Sequence, residues 1–493
     1  MHLKSIVIFL FCAFISGTIS AQGDKLIPSK KLNKDFEEMV AMIEAHPSPY
    51  RHISEANLNK LIDSTRNLIN EPMSALHFYK LITPIFTSLK DGHTSVYYPQ
   101  DWIKKLRKEN GVFPYKVYIT EENRLYIIGN YGADETIPLG AEILSLNGVT
   151  SSVFIKEISR YVSYEQEIFR NTIIEEDFDF YLLLYFGQLF DIELEYFSDK
   201  KHKHTVNYIL YDKWVKGKKE DEKYETKKTN IHEPYEYKKV KEGVALLKIH
   251  SFAIRDHKKF EFFLNDMFRK INKEGIKSLI IDVRGNTGGY PKEVSHLLHY
   301  VSDKYFKTMA RSEMKVSEAY KEYFKNIAPS VNFYSAHFSR RPHTIDVKSV
   351  FVKEPGTIVS EELLYNEPPK EMFHEFRGDL YLLIDRRSFS ASSSFAATFR
   401  CYQLGAIIGS ETGGTKVFHA NSMFKELRHS RIIGKMATTR LYTPCFYEED
   451  EGIKPDLVVK PTIQTLVAKS DIVLNHTLRV INKIQKLREE EKK

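Results

Sequence analysis

Apolar positions change their spacing three times along this chain. From Asn33 to about Gln100 they recur at helical intervals: Phe36, Met39, Val40 and Ile43 share one face, and Leu76–Leu89 forms a second such run. That run stops at Lys90-Asp91-Gly92-His93-Thr94, a turn that leads into the strand-like Ser95–Tyr98. Between Phe113 and Asp212 the period drops to two, at Tyr115–Ile119 and Arg124–Ile128, and Asn147-Gly148 marks a tight turn between apolar runs. Thr150–Tyr161 and Thr172–Phe186 return to helical spacing, and Phe190–Tyr196 with His204–Leu210 predicts a closing strand pair. The pattern predicts a helical region over residues 22–110 followed by a small β-rich domain over 111–212.

Residues 213–237 are charged and almost free of aliphatic side chains, which predicts a linker. Beyond it the pattern alternates between strand and helix. Val244–Ile249 is a strand, and His257–Ile271 places Phe260, Phe263, Leu264, Met267, Phe268 and Ile271 on the buried side of a helix. Ser278–Val283 is continuously apolar, as expected of a strand covered on both faces. A further apolar run ends at Asp385. It is followed by a hydroxyl-rich turn centred on Ser390, a helical stretch through Cys401, and the apolar Gly405–Gly409. Such alternation predicts an α/β domain over 238–470, with a helical tail over 471–493.

Composition narrows the function classes. A chain of 493 residues suggests two or three domains, and 42% hydrophobic residues are ample for a large core. The net charge of +7 is mild, and no Arg/Lys stripe interleaved with aromatics suggests nucleic-acid binding. Met-His-Leu-Lys-Ser, the apolar Ile6–Ile15 and the mostly small Ser16–Ala21 read as a signal peptide over residues 1–21. The expected location is therefore the periplasm or the extracellular space. The apolar run is short for a bilayer, and Cys12 lies inside it behind Phe11, which does not suit lipidation. Cys401 and Cys445 remain in the mature chain, and a disulfide and two buried thiols are both open.

Three turns carry candidate chemistry. A strand, a hydroxyl turn, a helix and a second strand are where α/β enzymes expose a nucleophile, and Ser390 sits at such a helix start. The same serine would also serve as an ordinary helix cap. Arg284-Gly285-Asn286-Thr287-Gly288-Gly289 follows a buried strand, where glycines let the backbone approach a ligand. It has neither a dinucleotide nor a P-loop signature, so backbone N–H groups facing an oxyanion fit it better. His93 is of the right type for a general base, although spacing alone does not select it from 18 histidines. No histidine pair has zinc spacing, and no metal or other cofactor is expected. The acidic turn Tyr447–Asp456 could supply a carboxylate to orient a histidine, or could simply be surface.

Together these pieces resemble the C-terminal processing (tail-specific) and tricorn-core serine proteases. Asp91-Gly-His-Thr94 looks like that family's histidine turn. Ile281-Asp-Val-Arg-Gly-Asn-Thr-Gly-Gly289 is similar to its Asp-x-Arg-x-Asn-x-Gly-Gly signature, and Phe389-Ser-Ala-Ser392 to its nucleophile turn. Ile408–Gly414 and Gly452-Ile-Lys-Pro-Asp456 resemble two later motifs, in the family's order. Gly140–Gly148 resembles the PDZ or PDZ-like modules of these proteases.

The resemblance implies a multidomain α/β protein: a helical N-terminal region, a PDZ-like domain, and a protease core on a mostly parallel βαβ sheet of the ClpP/crotonase kind. It implies Ser390 as nucleophile, and the N–H groups of Gly288 and Ala391 as oxyanion hole, with Gly289 as the alternative to Gly288. The family activates its serine either with a lysine about 25 residues downstream or, in the tricorn-like branch, with a histidine and a carboxylate. Position 415, 25 residues after Ser390, is threonine, and Lys416 follows it. His93 is therefore the expected base and Glu449 its partner, with Glu448 and Glu451 as rivals and a Ser390–Lys416 dyad as the alternative. Two departures stand out: Ser393 where the family often has Glu, and Gly409-Ser410 where it usually has Gly-Glu. The implied activity is an exported serine endopeptidase acting on peptide or protein substrates, without a stable membrane anchor. The alternative is a catalytically impaired peptide- or lipophile-binding protein of the same fold. An esterase is disfavoured by the absence of Gly-x-Ser-x-Gly.

Overall fold

A computed structural model describes residues 25–226, 233–327, 352–362, 375–445 and 450–491. The expected signal peptide, Glu448 and Glu449 lie outside the described residues.

The α/β region is organised around a six-stranded sheet. Its order is Leu457–Val458, Ala406–Gly409, Asp379–Ile384, Ser278–Asp282, Val244–Ile249 and Tyr235–Lys241. All neighbours are parallel except the last pair, which is antiparallel. Every residue of Ser278–Asp282 is buried, and the two faces of the sheet explain its continuous apolarity. On one face Leu247, Leu279, Ile281, Leu382 and Ile384 pack against the helices His257–Lys273, Pro291–Val301 and Ala391–Cys401. On the other, Leu246, Ile280, Leu383 and Ile408 meet Val473 and Ile481 of the C-terminal helix Ile472–Glu490. Each such aliphatic side chain contributes roughly 1.5–3 kcal/mol on burial. Two parallel strands, Ser278–Asp282 and Asp379–Ile384, are hydrogen-bonded neighbours. Their carboxyl ends therefore emerge side by side, and the glycine turn and the Ser390 turn start there.

The β-rich region is an antiparallel sheet of Tyr115–Ile119, Leu125–Asn130, Glu142–Leu146, Asp191–Phe197 and Lys201–Asn207. Its alternating burial matches the period of two in the sequence. One apolar cluster joins this sheet to the N-terminal helices Ser29–Met42, Glu55–Leu68 and Ala75–Thr87. The same cluster takes in Met423, Leu427, Ile432 and Met436. Ser95–Tyr97 pairs antiparallel with Ile433–Met436, so the segment carrying His93 is stitched to the α/β region by a β-ladder.

The stretch 213–237, expected as a linker, is helical over Tyr211–Thr226 and becomes a strand at Tyr235. Its charged composition masks one apolar anchor: Trp214 is buried with Val112, Tyr131 and Ile209. Asp221 adds ion pairs to Lys116 and Lys469. Cys401 and Cys445 form a disulfide with Cα atoms 5.7 Å apart, which resolves the two options left open by the sequence. Among the described residues no helix is long and apolar enough to cross a membrane.

Candidate active site

Asp385 closes its strand by accepting hydrogen bonds from the N–H groups of Gly285, Arg387 and Ser388. Ser388 Oγ donates to Val283 O at 2.9 Å, tying the serine turn to the neighbouring strand end. Ser390 then adopts φ 55° and ψ −119°, immediately before the helix Ala391–Cys401. A non-glycine residue held there stores on the order of 1–3 kcal/mol, a strain that persists only where the surroundings impose it. Residues 391–399 are all buried, which fixes the helix start and the turn with it. Gly288 lies against this turn: a Cβ there would come within 2.7 Å of Ser390 Cβ and 2.9 Å of Ala391 N. Only glycine permits that approach.

Ser390 and His93 are 297 residues apart in sequence, yet His93 Nε2 lies 2.9 Å from Ser390 Oγ. The imidazole stacks on Phe389 at 4.8 Å, and Phe418 lies beyond at 5.9 Å. Its backbone is held at both ends: His93 N–H donates to Asp91 Oδ1 at 2.8 Å, and His93 O accepts from Ser422 Oγ at 2.9 Å. Thr94 Oγ1 accepts from Ala437 N–H, anchoring the exit of the turn.

Two carboxylates face His93 Nδ1: Glu165 Oε1 at 3.4 Å and Asp91 Oδ1 at 3.9 Å. Neither is aligned as a hydrogen bond, and Nδ1 and Oε1 are both buried. Glu165 Oε2 accepts from the N–H of Thr415 at 3.0 Å, and the Thr415 hydroxyl lies between this oxygen, at 3.0 Å, and Val417 O, at 2.7 Å. The segment before Glu167–Glu176 is docked next to it. Phe169 stacks face to face on Phe389 at 4.3 Å, and Gln166 Nε2 donates to Asp450 O. Sequence reasoning missed Glu165, because nothing local marks it out and its position depends on this packing.

The other expected residues divide. Gly288 N–H, expected as an oxyanion donor, instead donates to Asn286 Oδ1 at 2.8 Å, because the asparagine side chain folds back over its own turn. Gly289 N–H makes no hydrogen bond among the described residues. Ala391 N–H belongs to the first residue of a helix, where no intrahelical acceptor exists. The rival Glu451 is exposed and pairs with Lys454 at 2.9 Å and Lys416 at 3.9 Å, away from His93. Ser393, standing where the resembled family often has Glu, donates to Ser388 O at 3.0 Å and braces the turn from inside.

Potential ligand atoms converge twice near this site: those of His46, Asp91 and His419, and those of Asp91, His93 and Glu165, each set lying within 4.8 Å. In the second set His93 Nε2 already faces Ser390, which suits proton transfer.

Residues 243–459 match peptidase family S41. No curated protein matches the sequence. Among solved structures, that of mature CPAF is similar at 12% identity and a TM-score of 0.59, covering 90% of this chain and 94% of that one. Mature CPAF complexed with lactacystin gives 12% identity and 0.60, covering 93% and 98%. The s499a mutant gives 13% identity and 0.58, covering 90% and 95%. At this identity the likeness is one of fold.

Proposed function

We propose that this serine-type peptidase, whose residues 243–459 match peptidase family S41, is an exported endopeptidase working through Ser390, His93 and Glu165. The observation that carries this reading is the 2.9 Å contact between His93 Nε2 and a strained Ser390. His93 Nε2 takes the Ser390 proton as Oγ attacks a peptide carbonyl carbon. The oxyanion is then held by the N–H groups of Ala391 and Gly289, each donor contributing on the order of 3 kcal/mol. Protonated His93 gives its proton to the leaving amine, the C–N bond breaks, and an ester remains on Ser390. A water molecule loses its proton to His93 and attacks that ester. The Ser390–acyl bond breaks and His93 returns the proton to Oγ.

Glu165 takes the role that the resemblance assigned to Glu449. Its charge, 3.4 Å from Nδ1, stabilises the imidazolium. A Ser390–Lys416 dyad is disfavoured, since Lys416 Nζ lies against Glu451 and Ser390 Oγ already has a partner. We read residues 22–110 as the domain supplying His93, 111–212 as PDZ-like and 238–470 as a core of the ClpP/crotonase kind. A substrate peptide would add a strand to an edge of the PDZ-like sheet. Labelling of the purified protein with a fluorophosphonate tests the reading. Wild type should label and Ser390→Ala should not, and equal labelling of both would remove Ser390 as nucleophile.

A further inference from the structure

Behind His93, on the side away from Ser390, lies a buried cluster that this mechanism leaves unused. His46 and Asp91 are fully buried, and His419 is 6% exposed. Asp91 is at the centre. Its Oδ2 faces His46 Nε2 at 3.3 Å, and its Oδ1 faces His419 Nδ1 at 3.7 Å while accepting the His93 N–H. Ser48 closes the far side: its N–H points at His46 Nδ1 at 3.2 Å, and its Oγ lies 2.7 Å from His419 Nε2.

The residue types would suit a metal ion, but the hydrogen bonds point elsewhere. His46 Nδ1 accepts the Ser48 N–H, so the ring proton sits on Nε2. A metal at Nε2 would need that nitrogen's lone pair and a proton on Nδ1, facing another donor. His46 is therefore built to donate to Asp91. Burial pushes the Asp91 carboxyl up, but His419, His46 and His93 together pull it down further, and the net is well below the usual carboxylate range. Burial pushes His419 below the ordinary histidine value, and the Asp91 charge opposes that shift.

We propose that Asp91 is a second positioning carboxylate for His93, fixed by His46 and additional to Glu165. It orients the turn through the His93 N–H and places a negative charge 3.9 Å from Nδ1, where the imidazolium forms in both half-reactions. The inference rests on His93 being the base. The charged and titratable groups around the pair are Glu165 on His93, and His46 and His419 on Asp91, with Arg440 acting on His419.

Two measurements on the full chain test it. The first is the rate of fluorophosphonate labelling against pH for wild type, Asp91→Asn, His46→Gln and His46→Leu. Asp91→Asn should label at least tenfold more slowly, with its acid limb moved to lower pH, because a negative charge that favours the protonated ring is lost. His46→Gln keeps an N–H donor and should stay near wild type, while His46→Leu should move toward Asp91→Asn. The second is the NMR titration of His93 in the Ser390→Ala background. It needs no activity, so it decides the role of Asp91 even if the wild type fails to label, an outcome that would sink the protease reading alone. The same downward shift is expected there for Asp91→Asn. An unmoved His93 titration with only a lower melting temperature would reduce Asp91 to a structural brace. Labelling abolished by a chelator and restored by zinc would overturn the hydrogen-bonded reading in favour of a metal centre.

Discussion

Thr415 donates its backbone N–H to the Glu165 carboxylate at 3.0 Å, with its hydroxyl oxygen also 3.0 Å away, while the other oxygen of that carboxylate faces His93 Nδ1 at 3.4 Å. Position 415 is where the lysine-using branch of the resembled family would carry its base. Here the same position holds a carboxylate that faces His93.

Glu165→Gln is accordingly expected to lower kcat/KM by at least 100-fold, since it removes the charge that stabilises the imidazolium. Thr415→Val keeps the N–H but loses the hydroxyl, and should cost several-fold in kcat with little change in KM. Glu449→Gln and Glu451→Gln should each stay within a few-fold of wild type. Steady-state kinetics on one peptide substrate decides the matter: a larger loss for Glu449→Gln than for Glu165→Gln would return the third role to Glu449.

The assignment of the base makes a separate prediction. His93→Ala should lower turnover by 1,000-fold or more, on the order of what loss of a general base costs elsewhere. Lys416→Ala should retain most activity, because its ammonium lies against Glu451. Active-site labelling with the two variants side by side reads the difference directly, and the reverse ranking would establish the dyad.

Ser390, His93 and the glycine turn were picked out together by the order of motifs that carry the family resemblance, not by any one of them alone, and the structure brings Ser390 and His93 within 2.9 Å. The central sheet was legible because its strands are buried on both faces and read as unbroken apolar runs, as in Ser278–Asp282. Glu165 was not legible: it reaches His93 only because Phe169 stacks on Phe389 and Thr415 holds its other oxygen. The state of the Gly288 N–H was hidden for a related reason. A glycine after a strand announces close approach, but not that Asn286 will fold back and take its hydrogen. In the stretch 213–237 a lone Trp214 outweighs the surrounding charge, and composition averages that away.

The backbone of Ser390 offers a stability test of the active site. Its φ of 55° is tolerated by glycine at little cost, whereas alanine keeps the Cβ and the strain. Ser390→Gly should thus be more stable than Ser390→Ala by about 1 kcal/mol, less the entropy glycine gains in the unfolded chain. Both variants would be inactive. Gly288→Ala should do the opposite, forcing a Cβ to within 2.7 Å of Ser390 Cβ and destabilising by about 1–3 kcal/mol. Urea denaturation of the three proteins compares them, and a Ser390→Gly variant less stable than Ser390→Ala would contradict the strained turn.

Acid should weaken the fold while the carboxylates held below their ordinary values, Asp91 and Asp282, are still ionised. Burial lowers His299 to about 4, with His296 adding to the effect, and its Nδ1 has no partner among the described residues. Burial likewise lowers His250 to about 4, helped by Lys248 and opposed by Asp282. Both are depressed relative to an unfolded value of 6.5, so between these limits the unfolded chain binds more protons than the native one. Their stabilising contribution is complete above about pH 6.5 and is lost as pH falls through about 4. Asp91 and Asp282, held below their ordinary value, add further loss only at still lower pH. Urea midpoints at pH 7.5, 6 and 4.5 should therefore fall for wild type and fall less steeply for the His250→Gln, His299→Gln double variant. Part of the slope will remain, because burial also lowers His52, His77 and His419. A double variant as acid-sensitive as the wild type would mean that these two rings stay neutral without cost.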